Sequence, residues 1–254
     1  MSALLIIAGT DSSGGAGLTR DVAAATEMAN TWPVLSGQTL NLRPVVTAVT
    51  VQTDQALQQI HPIPVEAIRD QIQAAVDTGP IGAVKIGMVG SAAATLAIAR
   101  ALETLLPNTC PVVLDPVLRS SSGGQLMSPL DLAPLLVRVD LITPNIPEAS
   151  KLCPVRSDDG QPELVTYARQ LQDTGVGAVL IKGGHGTGAM SVDHLFQGRG
   201  HVAFERPRLP QSKRGTGCSL ATAIAVQLMG GETLETACIR AGDFVHNWLK
   251  EAVA

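Results

Sequence analysis

Along the chain, short and fully apolar runs alternate with longer stretches in which apolar residues recur at helical spacing. Leu4–Ala8, Val45–Val51, Ala83–Ile86, Val112–Leu114, Leu141–Ile142 and Ala178–Ile181 read as strands. Leu18–Ala29, Val65–Thr78, Ala92–Leu106 and Pro162–Gly175 read as helices between them. The chain closes with expected helices Ser219–Met229 and Leu234–Val253, separated by Gly230-Gly231, and a β-ribbon is expected around Ser191–Phe204. Strands that are apolar throughout are buried on both faces. Their alternation with helices predicts an α/β fold, a mostly parallel central sheet with helices on both faces. No internal repeat or shift of composition divides the sequence, so residues 1–254 read as a single domain. Asn30–Pro44 is the exception to the pattern, because Trp32-Pro33, Gly37 and Pro44 break any helix. It is expected as a long surface loop, either a tolerated insertion or a flap over a cleft.

Composition narrows the function classes. With 254 residues, 45% hydrophobic and 16% charged, the chain is long enough for a large core and too apolar for disorder. Eighteen basic and twenty-two acidic residues without runs of like charge, and only 2% aromatics, argue against nucleic acid or an anionic membrane as partner. Cys110, Cys153, Cys218 and Cys238 form no CxxC pair and no zinc-site spacing with the five histidines. Thiols are therefore expected reduced. The apolar N-terminus is short, lacks a basic flank and runs into Gly9, so it reads as a strand rather than a leader, and no stretch reaches membrane-spanning length. A cytoplasmic protein is expected.

Ligands of open parallel sheets bind beyond the carboxyl ends of the strands. There the sequence places Gly9-Thr10-Asp11, Gln52-Thr53, Lys85-Ile86-Gly87-Met88, Asp115-Pro116, Asn145 and Lys182-Gly183-Gly184-His185. The glycine loop Gly9–Gly17 fails as a P-loop, since Gly15-Ala16 stands where Lys and Ser/Thr belong, and Arg20 spoils a dinucleotide fingerprint. A second loop, Lys213-Arg214-Gly215-Thr216-Gly217-Cys218, precedes a helix whose first N–H groups form an anion hole suited to phosphoryl transfer. At such a helix start the Cys218 thiol is expected below its usual pKa, unless it is simply a small packing residue. Asp115 and Glu148 are candidates to hold Mg²⁺ largely through water, although Glu148 is equally placed to cap a helix. His185 reads as a loop cap more readily than a nucleotide contact.

Taken in order, Ile7–Gly17, Lys85-Ile86-Gly87-Met88, Asp115-Pro116-Val117, Thr143–Ala149, Lys182-Gly183-Gly184-His185 and Gly215-Thr216-Gly217-Cys218 resemble the hydroxymethylpyrimidine/phosphomethylpyrimidine kinases of thiamine biosynthesis, within the ribokinase superfamily. The resemblance covers nearly the whole chain. It implies a ribokinase-like fold and ATP- and Mg²⁺-dependent phosphorylation of 4-amino-5-hydroxymethyl-2-methylpyrimidine, then of its monophosphate. It further implies Gly9, Asp21, Gln52 and Met88 as the pyrimidine pocket, Asn145, Lys182 and Thr216 as nucleotide contacts, and Asp115 with Glu148 as the magnesium environment. Cys218 would be the general base, with the amides around Gly215 and Gly217 as the anion hole, and a homodimer is allowed. Ser12 stands where the family has proline, and Lys213-Arg214 where it has a more neutral lead-in. Two alternatives stay open at this point: a pyridoxal kinase of the same fold, and a relative that binds the pyrimidine without turnover.

Overall fold

The computed structural model describes residues 2–31, 40–120, 123–153 and 163–251. Nine strands form one sheet: β1 (Ala3–Asp11), β2 (Leu42–Gln52), β3 (Leu57–Pro62), β4 (Ile81–Ile86), β5 (Val112–Leu114), β6 (Leu141–Ile142), β7 (Ala178–Ile181), β8 (Met190–Gln197) and β9 (Gly200–Pro207), in spatial order β3-β2-β1-β4-β5-β6-β7-β8-β9. The run from β2 to β7 is parallel; β3 at one edge and the β8–β9 ribbon at the other are antiparallel. The mixed α/β architecture with a mostly parallel sheet is the one the hydrophobic pattern predicts. The antiparallel β3 is not in that pattern, because its six residues LQQIHP carry no buried face.

Eight helices cover the sheet: α1 (Gly17–Thr31), α2 (Val65–Asp77), α3 (Ala92–Leu105), α4 (Ala133–Leu136), α5 (Ile146–Leu152), α6 (Glu163–Asp173), α7 (Thr216–Met229) and α8 (Leu234–Lys250). The period-2 geometry of a strand divides the core in two. Leu5 and Ile7 of β1 pack with Ile68, Ile98 and Leu171 on the face of α2, α3 and α6. Leu4, Ile6 and Ala8 point the other way, into Ala25, Ile224 and Ala241 on α1, α7 and α8. Helix α7 is buried from Ser219 through Gln227, and its many alanines let it lie close against the sheet. No described helix is long and apolar enough to cross a membrane.

The expected loop Asn30–Pro44 is shorter at both ends. Helix α1 continues to Thr31, and β2 starts at Leu42, with Pro44 paired to Ile6. Residues 32–39, including Trp32, lie outside the described residues, so the choice between an insertion and a flap does too. Helix α7 starts three residues earlier than the pattern suggests, at Thr216, with Gly215 as its left-handed N-cap (φ 78°). That places Gly217 and Cys218 inside the first turn.

The chain turns from β1 into α1 through Gly17, whose φ is +59° and whose missing Cβ would stand 2.4 Å from the Gly9 carbonyl oxygen. Gly198, in the ribbon turn, has φ +55° but open space around it. Gly198→Ala should therefore cost only the left-handed backbone term, about 1–2 kcal/mol, whereas Gly17→Ala should cost clearly more. Chemical denaturation of the two variants measures this; equal losses would mean the Gly9 contact yields freely.

Candidate active site

Beyond the carboxyl ends of the parallel strands lies a cavity of about 690 Å³, within the size range of small-molecule sites. Each predicted site residue except Asp21 lines it: Gly9, Gln52, Met88, Asp115, Asn145, Glu148, Lys182, Gly215, Thr216, Gly217 and Cys218. They converge because the strand order reverses between β2 and β4 around β1, which opens a crevice where neighbouring connections leave in opposite directions.

At the β1 end, the Met88 sulfur fills the space beside Gly9, 2.8 Å from where a Cβ would stand. Thr47 Oγ1 donates to the Met88 carbonyl at 2.6 Å and fixes that turn. Ser12 Oγ donates to the Gln52 carbonyl at 2.7 Å and accepts from the Gln52 N–H at 2.9 Å. The departure from proline at position 12 thus anchors the residue that faces the cavity. Gln52 is buried, and its Oε1 has no hydrogen-bond partner among the described residues. An orphaned buried acceptor is costly unless a ligand supplies the donor.

At the β5–β7 ends, Lys182 Nζ donates to Asp115 Oδ1 at 2.8 Å and stands 3.9 Å from Glu148 Oε2. An isolated bridge between Asn145 and Lys182 holds these ends in register. Asn145 and Glu148 form a reciprocal capping box at the start of α5: Asn145 Oδ1 accepts from the Glu148 N–H at 2.8 Å, and Glu148 Oε2 from the Asn145 N–H at 2.9 Å. The capping alternative for Glu148 is therefore realised without removing it from the cavity. It also engages the Asn145 side-chain oxygen, leaving its amide nitrogen for other partners. Burial pushes the Glu148 carboxyl up to about 7, with Asp115 adding to the rise and Lys182 opposing it. For Lys182, burial lowers the pKa, but the two carboxylates outweigh it and hold the ammonium charged. A Cβ on Gly217 would stand 3.1 Å from Lys182 Nζ and 3.3 Å from Asp115 Oδ2. With glycine here the ion pair sits directly against the first turn of α7; a side chain would make it shift by a few tenths of an ångström. Thr216 Oγ1 turns back to donate to the Lys213 carbonyl at 2.7 Å.

Two expectations need correction. Asp21 does not line the cavity: it is fully buried, with both carboxylate oxygens 2.7 Å from Lys85 Nζ and Oδ1 accepting from Thr222 at 2.9 Å. The helical turn that carries it past the glycine loop directs it inward to α7 and β4. Nor is the Cys218 thiol lowered. Burial pushes it up to about 12, and Asp21 and Asp115 raise it further against the opposing Lys85 charge and the Gly17 backbone hydrogen bond. In the free protein Cys218 is a neutral thiol.

Sequence reasoning attached no role to Arg214. It pairs through Nη2 with Asp11 at 3.0 Å and through Nη1 with Asp54 at 2.8 Å, and it also donates to Ser13 Oγ, tying the first glycine loop to the second. Gln211 is a second cavity residue with a buried, unpartnered Oε1. Arg214 stands in the second loop motif, but its partners Asp11 and Asp54 are far off in sequence, and Gln211 lies outside any motif.

The phosphomethylpyrimidine kinase family model matches residues 11–254. The chain belongs to the phosphomethylpyrimidine kinase family. It is 32% identical over 253 residues to the hydroxymethylpyrimidine/phosphomethylpyrimidine kinase of Aquifex aeolicus, spanning 98% of this chain and 94% of the relative. Among solved structures it is similar to the phosphomethylpyrimidine kinase of Clostridium difficile 630, with a TM-score of 0.77, 28% identity and 100% of each chain covered. It is also similar to a pyridoxal kinase of Staphylococcus aureus in complex with AMP-PCP, with a TM-score of 0.82, 25% identity, and 98% of this chain and 88% of that one covered. The family is one of ribokinase-like kinases.

Because the free thiol is protonated, iodoacetamide at pH 8 should label Cys218 slowly, at well below the rate of a free model thiol whose pKa is near 8.5. Mass spectrometry of the peptide carrying Cys218 checks this; rapid, selective labelling there would mean a thiolate is already present.

Proposed function

We propose that the protein transfers the γ-phosphoryl group of ATP to 4-amino-5-hydroxymethyl-2-methylpyrimidine and to its monophosphate, a kinase step of thiamine biosynthesis. The observation that carries the substrate is the buried, unpartnered Oε1 of Gln52 on the cavity wall. An exocyclic amine on the pyrimidine is the donor it lacks. Gly9 and Met88 would pack the ring beside it. A pyridoxal ring also carries donors, a phenolic hydroxyl and its ring nitrogen, so what supports the pyrimidine over the pyridine as principal substrate is the match to the phosphomethylpyrimidine kinase family.

The nucleotide phosphates would lie between Lys182 and the first turn of α7, where the amides after Gly215 and the positive helix end stabilise charge that builds on the transferring group. Asn145 and Thr216 would contact the nucleotide through the groups their internal bonds leave open. For magnesium, the protein offers two carboxylates, Asp115 and Glu148, with one ammonium between them, and no described cluster of three or more acidic, His or Cys side chains. That donor set fits an ion that keeps its waters and takes its remaining ligands from phosphates. Bound there, Mg²⁺ would neutralise phosphate charge. Phosphoryl transfer passes through a loose transition state, so positioning and charge supply most of the rate and the hydroxyl proton leaves late. Cys218 would take that proton as a thiolate, having first lost its own to solvent as the substrates bind.

A coupled ADP-release assay with the alcohol, the monophosphate and pyridoxal side by side tests the reading. Turnover should be found with the two pyrimidines and be weak with pyridoxal; no ADP from folded protein with either pyrimidine would overturn it. Gln52→Leu should raise KM for the pyrimidine about tenfold, as expected for one lost buried hydrogen bond of about 1–3 kcal/mol, with KM for ATP little changed. Equal rises for both ligands would make Gln52 structural.

A further inference from the structure

The alcohol and its monophosphate differ by a phosphate, which brings about −1.5 to −2 charges and three strong acceptor oxygens. A cavity that accepts both needs a cation able to meet the second without being left bare by the first. Of the basic residues lining the cavity, Lys182 is held by Asp115, Lys85 by Asp21, Arg206 by Asp243 and Arg208 by backbone carbonyls, and Lys213 donates to the Trp248 carbonyl at 2.6 Å while lying over that residue's ring; Arg119 and Lys151 line it from outside the two glycine loops. Arg214 is built differently.

Its two sides are unequal. Nη2 meets Asp11, whose side chain is 1% exposed and whose Oδ1 is fixed by the Ser13 N–H at 2.9 Å and Ser13 Oγ at 2.7 Å. That side is an anchor. Nη1 donates to Ser13 Oγ, which holds it to the first glycine loop, and also meets Asp54, whose side chain is 78% exposed. An ion pair to so open a carboxylate is worth little and is easily exchanged. Arg214 itself lines the cavity and Asp54 does not. The guanidinium lies over the first glycine loop, with Nη1 3.4 Å from where a Cβ of Gly15 would stand, and immediately precedes the Gly215 cap of the anion hole. Its permanent charge suits a phosphate, to which Nη1 can give a strong charge-assisted hydrogen bond while the rest of the planar fork stays anchored.

We propose that Arg214 is the substrate-phosphate ligand: when the pyrimidine monophosphate binds, Nη1 exchanges Asp54 for the phosphate while Asp11 keeps the guanidinium in place. With the alcohol, Asp54 stays and the charge remains balanced. One residue thus serves both phosphorylation steps and sets the preference between them. The inference rests on the pyrimidine kinase reading above.

The test is steady-state kinetics on both pyrimidines at saturating ATP for wild type, Arg214→Gln, Arg214→Lys and Asp54→Asn. Arg214→Gln should raise KM for the monophosphate at least about tenfold, the cost of one charge-assisted hydrogen bond, and move KM for the alcohol much less. Arg214→Lys, a point charge without the fork, should fall between wild type and Gln. Asp54→Asn, a surface change that removes the competing anion, should lower KM for the monophosphate, and it carries the test if the Arg214 variants fold poorly. Equal rises for both substrates would make Arg214 a strut between loops and overturn the proposal, as would an Asp54→Asn variant whose monophosphate KM is unchanged or raised. Wild-type turnover of the alcohol separates these results from failure of the kinase reading; with turnover of neither substrate, both fall together.

Discussion

Lys85 and Asp21 meet inside the protein with both side chains at 0% exposure, and three elements are bound at that point. Asp21 comes from α1, Lys85 from β4, and Thr222 of α7 gives the carboxylate its further hydrogen bond. Burial alone would pull the Lys85 ammonium down; the negative charge of Asp21, and less so that of Asp115, outweighs it and keeps the ammonium charged. Removing two charges from water is expensive, and an apolar pair of the same shape often does as well for stability. What an apolar pair could not do is fix the register of α7 against α1 and the sheet. Register decides where the first turn of α7, with Gly217 and Cys218, stands relative to the strand ends.

From that placement the electrostatics of the cleft follow. The α7 amides face Lys182 across the gap that Gly217 leaves open, and Asp115 and Glu148 lie behind that ammonium. An ammonium, a helix N-terminus and two carboxylates thus meet at one end of the cavity. The Cys218 thiol sits at the junction of both systems, raised by burial and opposed by Lys85. Its protonation therefore depends on what fills the cleft. On the opposite side Arg214 and Ser12 bind the first glycine loop to the second and to the end of β2, tying the cavity wall at Gln52 to the start of α7.

Much of this was legible from local pattern. Apolar strands ending in polar or glycine-rich residues gave the sheet and the edge on which the site lies, because strand ends in a parallel sheet share a side. Asp21 was misplaced because its partners, Lys85 and Thr222, are 64 and 201 residues away and only the topology brings them together. The helix start before Cys218 was visible, but the burial that reverses its effect on the thiol was not, since desolvation belongs to packing. Strand β3 has no hydrophobic face to betray it. Arg214 spans 203 residues to reach Asp11, a contact no spacing rule encodes.

The central claim is that the Lys85–Asp21 pair fixes the register of the site, and a double-mutant cycle of Lys85→Met, Asp21→Asn and the double variant, read by denaturant unfolding, tests it most directly. Each single change leaves a buried group without its partner and should cost about 3–5 kcal/mol. The double variant should be much more stable than the sum of the two losses implies. Single variants within about 1 kcal/mol of wild type, or losses that simply add, would contradict the account.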